Sequence, residues 1–331
     1  MILAGDIGGT HARLAYFQPQ NGSLRLVSER VFPSREHSEL GEIVAEFLKD
    51  SGARPELACF GVAGPVRNGR VETSNLPWIV ERSRLAKQIH LPATLLINDL
   101  EANAWGVGAL EANDLVPLHR IIGRQPAGNQ AVIAPGTGLG EAGLYWDGKN
   151  HHVFASEGGH TDFAPRGDLQ IELLKFLEAR HGRVSYERIL SGPGLVNVYE
   201  FLCAHAGDDE LLQVGDRVER ENDAARISQA ALDHTNKLAE QALDLWISVY
   251  GAEAGNLALK VMGTGGVFLA GGISPKILSQ LTGPLFMQAF LDKGRMRPLM
   301  DGIPVQVITN EKAGLIGAAR CAVASSAPAS L

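Results

Sequence analysis

Residues 2–17 read ILAGDIGGTHARLAYF, and residues 131–146 read AVIAPGTGLGEAGLYW. Each stretch is an apolar run, a glycine-rich break and a second apolar run. Glycines between apolar runs mark tight turns or places where backbone must pass close to a neighbour. Each stretch therefore predicts strand, glycine turn, strand. Working outward from the first, residues 25–32 add a strand. Residues 57–63 (LACFGVA) form a buried strand ending at Gly64-Pro65, and residues 94–97 (TLLI) another ending at Asn98-Asp99. Helical spacing appears over 38–51 at Leu40, Ile43, Val44, Phe47 and Leu48, and again over 81–90. Outward from the second stretch, 169–181 and 185–206 read as helices, the latter interrupted by Ser191-Gly192-Pro193-Gly194. Helical periodicity then runs through 223–262. Residues 267–270 (VFLA) are a buried strand before Gly271-Gly272, 304–308 a last strand and 311–325 an Ala-rich C-terminal helix. Strands alternating with helices predict an α/β fold with a partly parallel sheet. The restart predicts a weak duplication, two α/β halves that each open with a hairpin. The charged residues 207–222 read as a solvated connection and 322–331 as a frayed tail.

Composition narrows the function classes. The chain has 331 residues, enough for two domains, with 45 % hydrophobic and 20 % charged residues, which excludes disorder as the whole description. A net charge of −7 argues against a broad nucleic-acid surface. Cys59, Cys203 and Cys321 are widely spaced with no C-x-x-C, which disfavours a disulfide framework or a cysteine zinc site and fits a reducing cytosol. The N-terminus has no basic n-region and carries Asp6 within its apolar stretch, so no signal peptide is expected. No run approaches ~18 apolar residues, so no membrane span is expected either.

Two formal motif matches fail on context. Gly138-x-Gly140-x-x-Gly143 satisfies a dinucleotide fingerprint, but Leu144-Tyr145-Trp146 continue as a strand where that fingerprint needs a helix. Gly143-x-x-x-x-Gly148-Lys149 ends in Asn150 rather than Ser or Thr and lies in a polar hairpin turn.

Other motifs carry chemistry. Gly5-Asp6-Ile7-Gly8-Gly9-Thr10 offers backbone N–H groups and the Thr10 hydroxyl to phosphate oxygens. Asp6 can hold Mg²⁺ through water. Its plain alternative is an ordinary polar hairpin turn. Gly136-Thr137-Gly138 sits at the matching point of the second half, and the two turns together suggest a pair of phosphate clamps. Gly271-Gly272 after a buried strand suits an adenosine contact, or simply a strand-to-helix turn. Asp99, at a strand's C-terminal end, can accept a hydroxyl proton, and Asn98 can hydrogen-bond a polyol; Asp99 before Leu100-Glu101 also reads as a helix N-cap. Glu157 and His160 flank two glycines, so both can converge on one small ligand. Glu187 reads by pattern alone as a helix carboxylate.

Together these motifs resemble the bacterial glucokinase family of the sugar kinase, heat-shock protein and actin-like ATPase superfamily. The carriers are Gly5 to Thr10 with Ala12-Arg13-Leu14, Ala63-Gly64-Pro65, Thr73-Ser74-Asn75-Leu76-Pro77-Trp78 and Ile97-Asn98-Asp99. Further carriers are Pro135 to Gly140, Glu157-Gly158-Gly159-His160, Ser191 to Leu195 and Phe268 to Ile273. The resemblance covers most of the chain. It implies a two-domain actin-like ATPase (ribonuclease H-like) fold with a deep interdomain cleft. Residues 1–110 plus 300–331 would form the small domain and 111–299 the large one. It implies that Asn98, Asp99, Glu157, His160 and Glu187 bind D-glucose, with Asn75 a further contact, and that Asp99 is the general base. ATP phosphates map onto Gly5, Asp6, Ile7, Gly8, Gly9 and Thr10 and onto Gly136, Thr137 and Gly138. The expected enzyme is a cytoplasmic, homodimeric, MgATP-dependent kinase making glucose 6-phosphate for glycolysis, with domain closure excluding water.

His11 departs from the family, where Asn is frequent. The lack of a cysteine-rich zinc motif separates the chain from the related repressor-and-kinase sugar enzymes. With a phosphate turn starting at residue 5, no N-terminal DNA-binding helix pair is expected. The alternatives are a kinase for mannose, fructose or an N-acetylated amino sugar, a non-catalytic sugar sensor, and an actin-like or chaperone-like ATPase.

Overall fold

A computed structural model describes residues 1–20, 23–52, 54–73, 76–121, 127–206 and 217–326. The chain begins β1 (Ile2–Ile7), β2 (His11–Gln20), β3 (Ser23–Pro33), α1 (Leu40–Ser51), β4 (Leu57–Val62), β5 (Arg70–Glu72), β6 (Ile79–Glu81), α2 (Arg82–Gln88), β7 (Thr94–Asn98) and α3 (Asp99–Val107). It continues β8 (Leu115–His119), β9 (Gln130–Pro135), β10 (Leu139–Trp146), β11 (His151–Ser156), α4 (Gly167–His181), α5 (Gly192–Ala206), α6 (Arg217–Leu232) and α7 (Lys237–Val261). It ends β12 (Gly266–Leu269), α8 (Leu278–Leu281), α9 (Pro284–Leu291), α10 (Arg297–Met300), β13 (Val305–Ile308) and α11 (Ala313–Ser326). Two compact units result. One comprises Met1–Asp114, Val153–Ala155 and Asn310–Leu331, the other Leu115–His152 and Ser156–Thr309.

The first unit is built on a sheet ordered β3-β2-β1-β4-β7. β1 runs antiparallel to β2 and parallel to β4, which runs parallel to β7. Side-chain alternation on β1 explains its apolar run. Leu3 and Ile7 face one cluster with Leu14, Val44, Phe47 and Phe60. Ile2 and Ala4 face the other, with Cys59, Ala102, Leu315 and Ala318. Both faces are covered, so apolar residues are required at consecutive positions. On the second face, α3 and α11 cross closely. A Cβ on Gly106 would lie 2.3 Å from Ala313 O, and one on Gly317 would lie 1.7 Å from Ala102 O. Only glycine allows that approach.

The second unit carries a sheet ordered β11-β10-β9-β12-β13-β8. β9 pairs antiparallel with β10 and parallel with β12, which runs parallel to β13. The order β3-β2-β1-β4-β7 is thus repeated as β11-β10-β9-β12-β13, so the expected duplication is present in topology. Ile133, Val267 and Val305 pack against Val196, Trp246 and Tyr250 of the helical layer.

Several expectations need correction. The periodicity over 223–262 is two helices, α6 and α7. His234 between them has φ +55°, and Asn236 Oδ1 accepts the Ala239 N–H at 2.9 Å, capping α7. The connection expected over 207–222 becomes helix α6 from Arg217 onward, and 207–216 lie outside the described residues. The tail expected to fray from 322 stays in α11 to Ser326, with Ala322 buried, and 327–331 lie outside the described residues. The segment after β12 folds into short helices not read from the sequence. Both motif rejections hold. Leu139–Trp146 is a strand, and Asp147 Oδ1 accepts the Lys149 and Asn150 N–H groups, each at 2.7 Å, in a hairpin turn.

Candidate active site

In the first unit, the residues singled out from the sequence lie at the carboxyl ends of β1, β4 and β7, where open α/β sheets bind ligands. The turn after β1 is closed by Gly8 N–H donating to His11 O at 2.9 Å. Ser34, fully buried, ties the turn from the end of β3. Its hydroxyl donates to Gly8 O at 2.9 Å and its N–H to Thr10 O at 3.0 Å. The turn carbonyls are thereby held on the protein side, and Thr10 is exposed. Gly5 and Ile7 belong to strand β1 rather than to the turn. A Cβ on Gly5 would lie 2.4 Å from the Phe60 ring, so its lack of a side chain serves sheet packing.

Asp6 follows the β1 alternation onto the α3 and α11 face. Its carboxyl crowds Gly314 together with Asn103 Nδ2, both 3.3 Å from where a Gly314 Cβ would stand. Burial pushes the Asp6 carboxyl above its ordinary range, partly offset by Arg13 opposite on β2. Arg13 is itself held by Glu29 at 3.5 Å and Glu311 at 3.7 Å.

Asn98 and Asp99 straddle the start of α3. Asn98, not Asp99, is the N-cap. Its Oδ1 accepts the Leu100 N–H at 2.8 Å, and Glu101 accepts the Asn98 N–H at 3.0 Å, a reciprocal capping box. Asn98 Nδ2 also donates to Gly64 O at 3.0 Å. Asp99 is the first helical residue, half-buried, and its Oδ1 shares the Leu100 N–H at 3.0 Å. The helix N-terminus favours its anionic form. Asn103 Nδ2 donates to Asp99 O at 2.9 Å, and a Cβ on Gly61 would lie 2.7 Å from Ala102 Cβ, so α3 is seated directly on β4. Asn75 lies outside the described residues.

In the second unit, Gly136 N–H donates to Gly138 O at 2.8 Å, and Gly192 N–H, opening α5, donates to Gly136 O at 2.8 Å. Thr137 is exposed at the tip. Glu187 Oε2 accepts the Leu139 N–H at 3.0 Å and fills the space a Gly138 Cβ would take, 2.4 Å from it. Gly271 has φ +81°, and a Cβ there would lie 2.7 Å from Pro135 O. It therefore abuts the same turn from the end of β12, while Gly272 faces open space.

Glu157, His160 and Glu187 come together. His160 Nε2 stands 3.9 Å from Glu157 Oε2, and its Nδ1 3.8 Å from Glu187 Oε1. Both glycines between Glu157 and His160 are required by β10: a Gly159 Cβ would lie 2.0 Å from Leu139 O and a Gly158 Cβ 1.8 Å from Glu141 Oε2. Arg183 fixes the turn, donating to His160 O at 2.6 Å and to Asp162 at 2.7 Å. Tyr186 N–H donates to Thr161 O at 3.0 Å, which brings Glu187 alongside. Ser34, Arg183 and Glu141 were not singled out from the sequence. The usable signal was a polar residue inside a buried stretch, clearest at Glu141 in LGEAGLYW.

Among the described residues, no group of three or more His, Cys, Asp or Glu side chains is arranged to hold a metal ion, and no helix is long and apolar enough to cross a membrane. The Glucokinase family profile matches residues 3–325. The glucokinase of Nostoc sp. is 43 % identical over 339 residues, spanning 97 % of this chain and 98 % of its own. That of Synechocystis sp. is 42 % identical, spanning 98 % of each. The crystal structure of glucokinase from an Antarctic psychrotroph matches with a TM-score of 0.84 at 32 % identity, covering 98 % of both chains. The fold is accordingly that of the actin-like ATPases.

Proposed function

The chain belongs to the glucokinase family, and from that premise we propose that it transfers the terminal phosphoryl group of ATP to O6 of D-glucose. The observation that best supports this reading is the meeting of Glu157, His160 and Glu187 beside the Gly136–Gly138 turn. Two carboxylates and an imidazole provide acceptors and a donor for vicinal hydroxyls, and pairing each hydroxyl rejects analogues that lack one.

Asp99 is the base. A hydroxyl proton becomes acidic only as its oxygen bonds to phosphorus, so a carboxylate held anionic by a helix start suffices as acceptor. Asn98 orients the sugar with the amide hydrogen and lone pair left over from capping, and Asn75 adds a contact. The Gly8-Gly9-Thr10 and Gly136-Thr137-Gly138 turns receive the phosphates through hydroxyls and N–H groups other than those of Gly8 and Gly136, which close the turns themselves, with Gly271-Gly272 beside the adenosine.

Magnesium takes one or two carboxylates and completes its shell with water and phosphate oxygens. Asp6, a single carboxylate whose ionisation burial disfavours, fits that role, and a neighbouring cation would relieve the cost. When bound, Mg²⁺ would supply charge neutralisation on the phosphates. In the same reading the enzyme is a cytoplasmic homodimer feeding glycolysis. Its three cysteines are buried and none forms a disulfide, in keeping with a reducing compartment.

The test is ADP release with MgATP across D-glucose, mannose, fructose, N-acetylglucosamine and galactose, with light scattering for the oligomer. Strong release with glucose alone is expected. Equal or greater release with another sugar would replace the substrate, and sugar-independent release would replace the reaction.

A further inference from the structure

Beneath the ligand-bearing turns of the second unit lies a polar cluster that the reaction above does not use. Glu141 on β10 and Glu253 on α7 are 1 % and 0 % exposed. Their carboxyl groups lie close enough to interact directly. Two like charges buried side by side are costly, which calls for one proton on the pair. The other partners decide which group keeps the charge. Glu253 Oε1 accepts from Lys260 Nζ at 3.1 Å and its Oε2 from Asn256 Nδ2 at 2.8 Å. Glu141 Oε1 is buried with no hydrogen-bond partner. Glu141 is thus the acid of the pair, since an orphaned oxygen costs far less on a neutral carboxyl than on an anion.

The pair reaches both ligand-bearing turns. Gly158, between Glu157 and His160, rests against Glu141 Oε2, closely enough that a Cβ would overlap it. Tyr186, which precedes Glu187, accepts from Asn256 Nδ2 at 3.0 Å, and the same Nδ2 donates to Glu253 Oε2 at 2.8 Å. One buried pair therefore supports Glu157 and His160 on one side and Glu187 on the other.

We propose that Glu141 and Glu253 are positioning residues that hold one proton between them, and that this pair seats the Gly158 and Tyr186 turns so that Glu157, His160 and Glu187 keep their sugar-binding arrangement. The inference rests on the sugar-binding reading of those three residues.

The charged and titratable groups around the pair are Lys260 from α7, Tyr186 from the turn before α5 and Lys293 after α9. Arg166 and Asp292 lie beside Lys293. Burial and the Glu253 charge push the Glu141 carboxyl up to about 8. Burial and Arg166 push Lys293 down to about 8. Losing the Glu141 proton sets two anions in contact under Gly158, so sugar affinity falls on the alkaline side. Lys293 titrates in the same window and must be separated.

The experiment measures KM for glucose and for ATP, and glucose binding by calorimetry, from pH 6.5 to 9.5. It compares the wild type with Glu141→Gln, Glu141→Ala, Lys293→Met and His160→Ala, all checked for folding by circular dichroism. In the wild type, glucose KM should rise about tenfold above pH 8, the loss of one well-placed hydrogen bond, with ATP KM nearly level. Glu141→Gln, which keeps a donor to Glu253 and cannot ionise, should flatten that rise. Glu141→Ala should raise glucose KM about tenfold at every pH. An alkaline rise that persists in Glu141→Gln overturns the proposal. Should that variant not fold, retention of the rise in Lys293→Met supports the pair, and its loss transfers the effect to Lys293 and overturns it. His160→Ala separates the two readings. Unchanged glucose binding there removes the sugar-binding reading and this inference with it. Weakened binding there, with a persistent rise in Glu141→Gln, removes the inference alone.

Discussion

The two glycine turns occupy the same place in the same strand order, after β1 and after β9, yet different atoms hold them. At the first, the space at Gly5 is filled by the Phe60 ring, and the turn is tied by the hydroxyl and N–H of Ser34. At the second, the space at Gly138 is filled by the carboxylate of Glu187, itself one of the side chains gathered on His160. In the first unit the Asp99 carboxylate stands on α3 and takes no part in filling the space at Gly5. The second shares Glu187 with the Glu157 and His160 group beside it. A glycine is explained by what occupies its missing side chain, and here that separates a packing glycine from a coupled one.

The comparison makes graded predictions. Asp99→Asn tests the carboxylate on α3 and should have the largest effect. Its kcat should fall about 10²- to 10⁴-fold, with glucose binding by calorimetry nearly preserved. Near-normal turnover would remove Asp99 as the base. Gly138→Ala tests the coupling. It must displace Glu187, so glucose KM should rise about 10- to 100-fold, the worth of a hydrogen bond to a charged group, together with ATP KM. Gly8→Ala, whose Cβ would meet His11 O at 3.3 Å, should change ATP KM alone and by less. If Gly138→Ala spares glucose KM, the second turn is no more coupled than the first.

Ser34→Ala probes the tie at the first turn. It leaves Gly8 O without its buried donor, which costs about 1–3 kcal/mol and should lower the melting temperature by several degrees while raising ATP KM. An unchanged melting temperature would show that water replaces the hydroxyl. The smallest effect belongs to the floor of the second turn. Glu141 keeps its proton to about 8 in the fold, against an ordinary carboxyl value of 4.5. Its contribution to stability is therefore full below pH 4.5, declines as pH rises and is gone above pH 8. Melting curves between those values should fall less steeply for Glu141→Gln than for the wild type, and parallel curves would show that Glu141 is not the group titrating.

Much of this was legible beforehand. Both hairpins followed from two apolar runs around glycines, and Asn98-Asp99 was placed at a strand's end by TLLI before it. The pairing of Glu157 with His160 followed from two intervening glycines. Where reading failed, the failure was local competition or distance. Asn98 and Asp99 are both good caps, and the backbone entering α3 chose Asn98. The periodicity over 223–262 was unbroken, although Asn236 carried the cap that splits it. Glu187 carried no signal, because its place depends on Arg183 and Tyr186 docking on the Thr161 region.

The sequence by itself determined the strand and turn order, the duplicated hairpins and the residue types able to hold phosphate and sugar. These follow from side-chain periodicity and glycine sterics, which act over a few residues. Only the tertiary structure decided that Glu187 lies under Gly138, that Ser34 ties the first turn, and that Glu141 meets Glu253. Those contacts join residues 24 to 112 positions apart, and their energies depend on burial. Burial is set by how sheets and helices pack rather than by neighbours in the chain.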